Sequence, residues 1–141
     1  MQIRRLQPDD IDTLLSIRDG IFDNPVHPEQ ARAFLGSDLH HLFVGFDGGE
    51  AVAFASATVI LHPDKPPSLF INEVGTHEEH RRKGHARAVV QALIDHGRRI
   101  GCQGIWLATE LDNDPARGLY QRLGAEEFTF VGYSWDDALQ G

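Results

Sequence analysis

Apolar positions near the N-terminus repeat first at every second residue and then at helical spacing. The alternation over residues 1–6 predicts a strand, and the apolar stripe after it predicts a helix. The positions of that stripe are Ile11, Leu14, Leu15 and Arg18. A second short helix is predicted after Pro28, with Ala31, Phe34 and Leu35 on its apolar face.

The next pattern is that of a β-hairpin. Two runs rich in Val, Phe and Thr flank Asp47-Gly48-Gly49 within residues 41–61, which predicts two antiparallel strands joined by a tight turn. The segment HPDKPPS after them is predicted to be a loop, because its prolines lack a ladder donor and fix the backbone.

A strand, a helix and a second strand follow in that order. Residues 68–76 (SLFINEVGT) predict an apolar strand that carries a glutamate, and residues 104–110 (GIWLATE) predict a second buried strand. The helix between them ends at Gly101. Its buried face consists of Ala86, Val89, Val90, Leu93, Ile94 and Gly97. This order predicts a right-handed βαβ unit with parallel strands.

The last part of the chain predicts one more helix and a return to the sheet. Asp114 can cap a helix whose first position is Pro115, and Gly124 ends it. The apolar face of that helix consists of Ala116, Leu119, Tyr120 and Leu123. Residues 126–135 (EEFTFVGYSW) predict the last strand or two.

Size and composition indicate one ordinary globular domain. The chain has 141 residues, 41% of them hydrophobic, and no apolar run near the roughly 20 residues of a membrane-spanning helix. The N-terminus lacks the features of a signal peptide, so a cytoplasmic location is expected. The single Cys102 predicts a small buried hydrophobe. The net charge of −8 argues against general nucleic-acid binding and favours small cationic partners.

One loop departs from this acidic balance. Residues 80–87 (HRRKGHAR) hold four of the thirteen Lys and Arg residues and lead from the predicted strand into the helix. A helix N-terminus offers unpaired N–H groups to an anion, and Gly84 and Ala86 leave room for one. The alternative is a solvated charge run. No Walker loop and no GxGxxG is present, which disfavours nucleoside triphosphates and NAD.

Two segments resemble the GNAT N-acetyltransferase superfamily. Arg81-x-x-Gly84-x-Ala86 is similar to its acyl-coenzyme A signature, and residues 113–124 (NDPARGLYQRLG) look like its second segment. Residues 110–127 also resemble small aminoglycoside 3-N-acetyltransferases. The resemblance implies one domain over residues 1–141 in the α/β (α+β) class. It implies a mixed, mostly antiparallel twisted sheet, a central parallel βαβ pair and about four helices.

The resemblance also implies acetyl-coenzyme A (acetyl-CoA) as co-substrate and direct acetyl transfer to a primary amine of a small polycation. Backbone near Val74 and Thr76 would pair with the pantetheine arm, and amides of residues 82–87 would hold the pyrophosphate. The residues expected to bind the coenzyme are Val74, Gly75, Thr76, Arg81, Arg82, Lys83, Gly84, His85, Ala86, Arg87, Asn113, Ala116 and Tyr120. Asn113 would either contact the pantetheine or cap its helix. The family often forms dimers, so a homodimer is expected.

Acetyl transfer needs a neutral amine, and Glu73 is the first candidate for the base, with Glu110 second. Their alternatives are a surface ion pair for Glu73 and a rim charge for Glu110. Tyr120 stands where the family has its general acid, although it could simply be a core tyrosine. Glu73, Glu110, Asp112 and Asp136 are candidates for acceptor contact, although acidic side chains are usually just solvated.

No metal site is predicted, because His77 and His80, three apart beside Glu78 and Glu79, do not form HExxH. Two alternatives to an aminoglycoside enzyme stay open. The acceptor could be a polyamine, an amino acid or a protein N-terminus, or the chain could be a coenzyme A module without catalysis.

Overall fold

A computed structural model describes residues 1–138 of the chain. Contacts divide it into two compact units, Met1–Ala108 and the residues from Thr109 onward, which are described separately. Residues 139–141 of the predicted single domain lie outside the described residues, and the single domain stays a prediction.

The described residues contain five strands and four α-helices. The strands are β1 (Gln2–Arg5), β2 (His40–Asp47), β3 (Glu50–Ile60), β4 (Ser68–Thr76) and β5 (Ile105–Trp106). The helices are α1 (Ile11–Leu15), α2 (Pro28–Leu35), α3 (His85–Arg99) and α4 (Asp114–Arg122), with short 3-10 turns at Pro8–Asp10 and Glu78–His80. None of these helices is long and apolar enough to cross a membrane.

The first unit is a sheet with the order β1-β2-β3-β4-β5, antiparallel except for the parallel pair β4 and β5. The mixed fold class, the hairpin and the parallel βαβ pair are confirmed. Gly48 and Gly49, at φ +60° and +84°, form the left-handed two-residue turn that joins β2 to β3.

Both faces of the sheet are covered, which explains why β2 and β3 are buried at nearly every position. Leu42 and Val44 belong to a core shared with α1 and α2. Phe43 and Gly45 face the other way. A Cβ at Gly45 would come within 3.3 Å of Val89 on α3, and the Phe43 ring lies 5.3 Å from that of His96.

Under α3 the core contains a pair of histidines. His41 and His96 are 5% and 9% exposed, and their Nδ1 and Nε2 atoms lie 3.1 Å apart. Burial is the main cause that lowers the pKa of His41 to about 4, and the nearby Arg5 and His96 lower it further. The pKa of His96 is lowered as well, mainly by burial. Both rings are therefore neutral at pH 7.

Three sequence predictions about elements are wrong in detail. β5 has only two residues instead of the predicted 104–110, and Trp106 is 38% exposed rather than buried. Residues 126–135 carry no strand, so the parallel pair lies at one end of the described sheet and not at its centre. α1 ends at Leu15, so Arg18 lies beyond the helix whose stripe it was predicted to join.

Candidate active site

The cationic loop forms a backbone turn with free donors. Arg82 and Gly84 both have positive φ, 65° and 80°, and Gly84 is the N-cap of α3. The N–H of Arg81 donates to Glu78 at 3.5 Å, and the N–H of Ala88 donates to Gly84 at 3.1 Å. Between these two, the N–H groups of residues 82–87 have no hydrogen-bond partner within residues 1–138.

The side chains around this turn leave it open and positive. A Cβ at Gly84 would meet no atom within 4 Å, so the space over the turn is empty. The cations Arg81, Arg82, Lys83 and Arg87 are exposed, and none forms an ion pair within the described part of the chain. Six free N–H groups, a helix N-terminus and four cations together suit a diphosphate. We call residues 81–87 the phosphate loop.

The strand that leads to the phosphate loop has an open edge. β4 pairs with β5 only at Leu69 and Phe70, while its other edge pairs with β3 as far as Thr76. The N–H of His77 donates to Val52 of β3 at 2.9 Å. Because antiparallel residues alternate in direction, Val74 and Thr76 point their backbone groups away from β3, toward the open edge. An extended pantetheine arm, whose amides can both donate and accept, fits such an edge.

A β-bulge precedes these residues. Ser56 pairs with Glu73 and Ala57 with Ile71, so Asn72 is the extra residue of β4. The Asn72 side chain donates to the Thr58 hydroxyl at 2.8 Å. The bulge breaks the alternation of buried and exposed positions, and both Asn72 and Glu73 are exposed.

The loop between α1 and α2 packs onto β4 beside Glu73. A Cβ at Gly75 would lie only 2.7 Å from the carbonyl oxygen of Ile21, which is 4% exposed. The Phe22 and Phe54 rings lie 4.2 Å apart. This packing brings Asp23 near enough to act on Glu73. The pKa of Glu73 is raised, first by partial burial and then by the Asp23 carboxylate, although the Glu73 side chain is still accessible to solvent.

Asp23 is a residue that the sequence reasoning missed. Nothing in residues 20–40 matched a motif, and its place beside Glu73 results from tertiary packing. A base with a raised pKa is better matched to a neutral medium than an ordinary glutamate, so the structure is consistent with the proton-accepting role predicted for Glu73.

The second unit holds the remaining predicted residues. Asn113 caps α4: its Oδ1 accepts the N–H of Ala116 at 3.2 Å, and its Nδ2 donates to the Thr109 hydroxyl at 3.2 Å. The predicted cap at Asp114 is therefore wrong, because Asp114 is already the first helical residue. Any contact of Asn113 or Ala116 with the coenzyme stays a prediction.

Tyr120 is the seventh residue of α4 and is partly buried. Burial raises its pKa, so the phenol is protonated at neutral pH, as a general acid requires. Glu110, Asp112 and Asp136 are exposed in the second unit, and their contacts with an acceptor stay predictions.

Arg117 and Glu127 form an ion pair within the second unit. The guanidinium donates to both carboxylate oxygens, at 2.9 and 3.2 Å, and also to the Leu111 carbonyl at 2.7 Å. The hydrogen bond and charge of Arg117 lower the pKa of Glu127.

Comparison with known proteins decides the family. The model of the acetyltransferase (GNAT) family matches residues 11–125, which is most of the chain. The chain belongs to the GNAT acetyltransferase family. The predicted resemblance to GNAT is confirmed, and with family membership the predicted N-acetyltransferase class and its co-substrate acetyl-CoA.

One of two individual relatives is similar over nearly its whole length, and the other over about half of it. The chain is 26% identical over 136 residues to "Aminoglycoside N(6')-acetyltransferase type 1" of Salmonella typhimurium, covering 90% of this chain and 92% of that protein. It is 32% identical over 81 residues to the "[Ribosomal protein bS18]-alanine N-acetyltransferase" of Escherichia coli K12, covering 57% and 51%.

Solved structures share the fold. AAC(6')-Iy in complex with a bisubstrate analogue, CoA-S-monomethyl-acetylneamine, has a TM-score of 0.80 at 21% identity and covers 97% of this chain and 98% of its own. The acetyltransferase meta-AAC0020 from an uncultured soil metagenomic sample, in complex with sisomicin, also has a TM-score of 0.80, at 16% identity and 95% of both chains. These relatives with a named position are of the 6'-N type, and the 3-N type inferred from the resemblance finds no support among them.

Proposed function

We propose that this chain transfers the acetyl group of acetyl-CoA to a primary amine of an aminoglycoside. The free N–H groups of residues 82–87 are the observation that carries the coenzyme half of the proposal. The acceptor half rests on the names of similar proteins, and on the acidic balance of the chain, which suits a polycation. Those names favour the 6'-amine over the 3-amine as the acetylated position.

The residues would divide the work as follows. The phosphate loop holds the diphosphate, and the open edge of β4 at Val74 and Thr76 binds the pantetheine arm. The Val74 N–H can also stabilise negative charge on the thioester oxygen as the amine attacks. Acetyl-CoA itself supplies the thioester.

Proton transfer completes the reaction. An alkyl ammonium with a pKa near 10 is about one part in a thousand neutral at pH 7, a cost of about 4 kcal/mol. Glu73, directly or through a water, takes that proton, with Glu110 as the second candidate. The new C–N bond forms as the C–S bond breaks, and Tyr120 donates its proton to the departing sulfur. The attacking nitrogen then releases its excess proton as the amide forms, and this proton restores the Tyr120 phenol.

The test is a thiol-release assay with acetyl-CoA and two aminoglycosides, sisomicin and neamine, followed by mass spectrometry and NMR of the product. Turnover with acetylation at the 6'-amine is expected. Turnover at the 3-amine would correct the position, and no release above background with either acceptor would refute the aminoglycoside proposal. Tyr120→Phe should lower turnover and leave coenzyme binding intact. An unchanged rate would remove Tyr120 from the mechanism.

A protein N-terminus is the second candidate acceptor, because the bS18-alanine acetyltransferase is 32% identical over 81 residues. A peptide that begins with alanine therefore belongs in the same assay. Release with the peptide and none with the aminoglycosides would reverse the order of the two candidates.

A further inference from the structure

Three side chains that are distant in sequence meet beside the phosphate loop. Asp47 ends β2, His80 ends the 3-10 turn before the loop, and His85 is the first residue of α3. One ligand atom from each of the three lies within 4.8 Å of the other two. The packing of α3 on β2 produces this arrangement, because it sets the helix N-terminus over the hairpin end.

Two ring nitrogens of this cluster have unmet hydrogen-bonding capacity. His80 Nδ1 and His85 Nε2 are shielded from solvent and have no hydrogen-bond partner within residues 1–138. Their ring centroids lie 6.1 Å apart. A shielded polar atom without a hydrogen-bond partner destabilises the folded state by about 1–3 kcal/mol. A ligand that bonds to both nitrogens would remove this destabilisation.

We infer that Asp47, His80 and His85 bind a divalent transition metal of the Zn²⁺ type, a site separate from the transfer chemistry. Two imidazoles and one carboxylate match the ligands that Zn²⁺ prefers, whereas Ca²⁺ and Mg²⁺ require oxygen ligands. Three protein ligands leave the fourth tetrahedral position to water.

The spacing is compatible with such an ion after a small closure. Metal–ligand distances of about 2.0–2.2 Å in a tetrahedron place the ligand atoms about 3.3–3.6 Å apart. Atoms that lie within 4.8 Å of one another must therefore approach by at most about 1.5 Å. Asp47 is exposed beside the hairpin turn, so its side chain can rotate toward the two rings.

His77 is not part of this site, although the sequence pairs it with His80. The His77 Nδ1 accepts the N–H of Glu79 at 3.3 Å. The ligand atoms that meet at this site do not include one from His77, although its ring centroid lies 6.1 Å from that of His80. His77 therefore serves as a control from the same segment.

A bound ion would act on the phosphate loop mechanically. His80 and His85 enclose residues 81–84, so a metal held by both and by Asp47 would fasten that segment to the β2–β3 hairpin. The cations of the loop oppose a positive ion, but they are exposed and screened by salt.

The test uses the full chain without a histidine tag, stripped with EDTA and free of coenzyme A, whose thiol binds zinc. Calorimetry with ZnCl₂ should give one equivalent bound, and Co²⁺ should give the visible absorption of a tetrahedral site. Asp47→Asn and His85→Gln should each weaken binding at least tenfold, while His77→Gln binds as the wild type does.

The inference would be overturned by the absence of stoichiometric binding in the wild type, or by wild-type affinity in both Asp47→Asn and His85→Gln. Asp47→Asn changes an exposed side chain and should fold normally, which circular dichroism checks. Weakening in His77→Gln equal to that in His85→Gln would also overturn it, because it would indicate scattered histidine binding.

Discussion

Acidification should destabilise this protein through the buried pair His41 and His96. His41 has a pKa of about 4 when folded and an ordinary value of 6.5 when unfolded. His41 therefore binds a proton below pH 6.5 in the unfolded chain, but only below about pH 4 in the folded chain. Stability is fully present above pH 6.5 and is lost as the pH falls through that window.

The size of the loss follows from the two values. One pKa unit is worth about 1.4 kcal/mol, so the gap between 6.5 and about 4 corresponds to about 3 kcal/mol of unfolding free energy. The lowered pKa of His96 acts in the same direction. Burial is the largest cause for both rings, and the charge of Arg5 adds to it.

Urea unfolding at 25 °C, at half-unit steps from pH 7.5 to pH 4, measures this loss. In His41→Gln the decrease between pH 6.5 and 4 should be smaller than in the wild type by about 3 kcal/mol, whatever the variant's stability at pH 7. His62→Gln, which removes a histidine from the loop after β3, should keep the wild-type pH dependence. Equal pH dependence in His41→Gln and the wild type would refute the reasoning.

Three further predictions test the site and its supports. Gly84→Ala and Gly101→Ala both place a Cβ at positive φ in open space and should each cost about 1 kcal/mol of stability. Calorimetry should find weakened coenzyme A binding only in Gly84→Ala, and equal affinity in the two would contradict the phosphate loop. Asn113→Ala should lower the free energy of unfolding, measured by thermal denaturation, by about 1 kcal/mol because α4 loses its N-cap. A larger decrease in Asp114→Ala would contradict the assignment of Asn113 as the N-cap. The acetylation rate should fall as the pH drops through the raised pKa of Glu73. If a Glu73→Gln variant shows the same decrease in rate at low pH, Glu73 is excluded as the base.

Local signals predicted the parts of the fold that depend on neighbouring residues. The turn at Gly48 and Gly49 and the helix start at Gly84 each follow from a backbone conformation that glycine adopts easily. The phosphate loop could be found in the sequence for this reason, since its donors, its glycine and its cations are contiguous.

Features set by tertiary packing could not be predicted in the same way. The bulge at Asn72 depends on its pairing with β3, and Asp23 reaches Glu73 only because Ile21 packs against Gly75. Residues 126–135 have the composition of a strand, yet composition does not supply a paired neighbour. Asn113 and Asp114 both carry a capping oxygen, and only the backbone decides between them.

The cluster of Asp47, His80 and His85 shows the same limit most clearly. The two histidines are five residues apart, but the carboxylate belongs to Asp47 in the β2–β3 hairpin, 33 positions before His80. No sequence motif with fixed ligand spacing includes residues this far apart.

The free N–H groups of residues 82–87 are the proposed binding site of the coenzyme diphosphate, and the other site assignments depend on them. The most direct measurement is a titration of ¹⁵N-labelled protein with coenzyme A, followed residue by residue through the amide resonances. The largest shifts should occur at residues 82–87, and pantetheine, which lacks the diphosphate, should leave those amides unshifted while still perturbing Val74 and Thr76. Saturable binding of coenzyme A that leaves the amides of residues 82–87 unshifted would contradict the account.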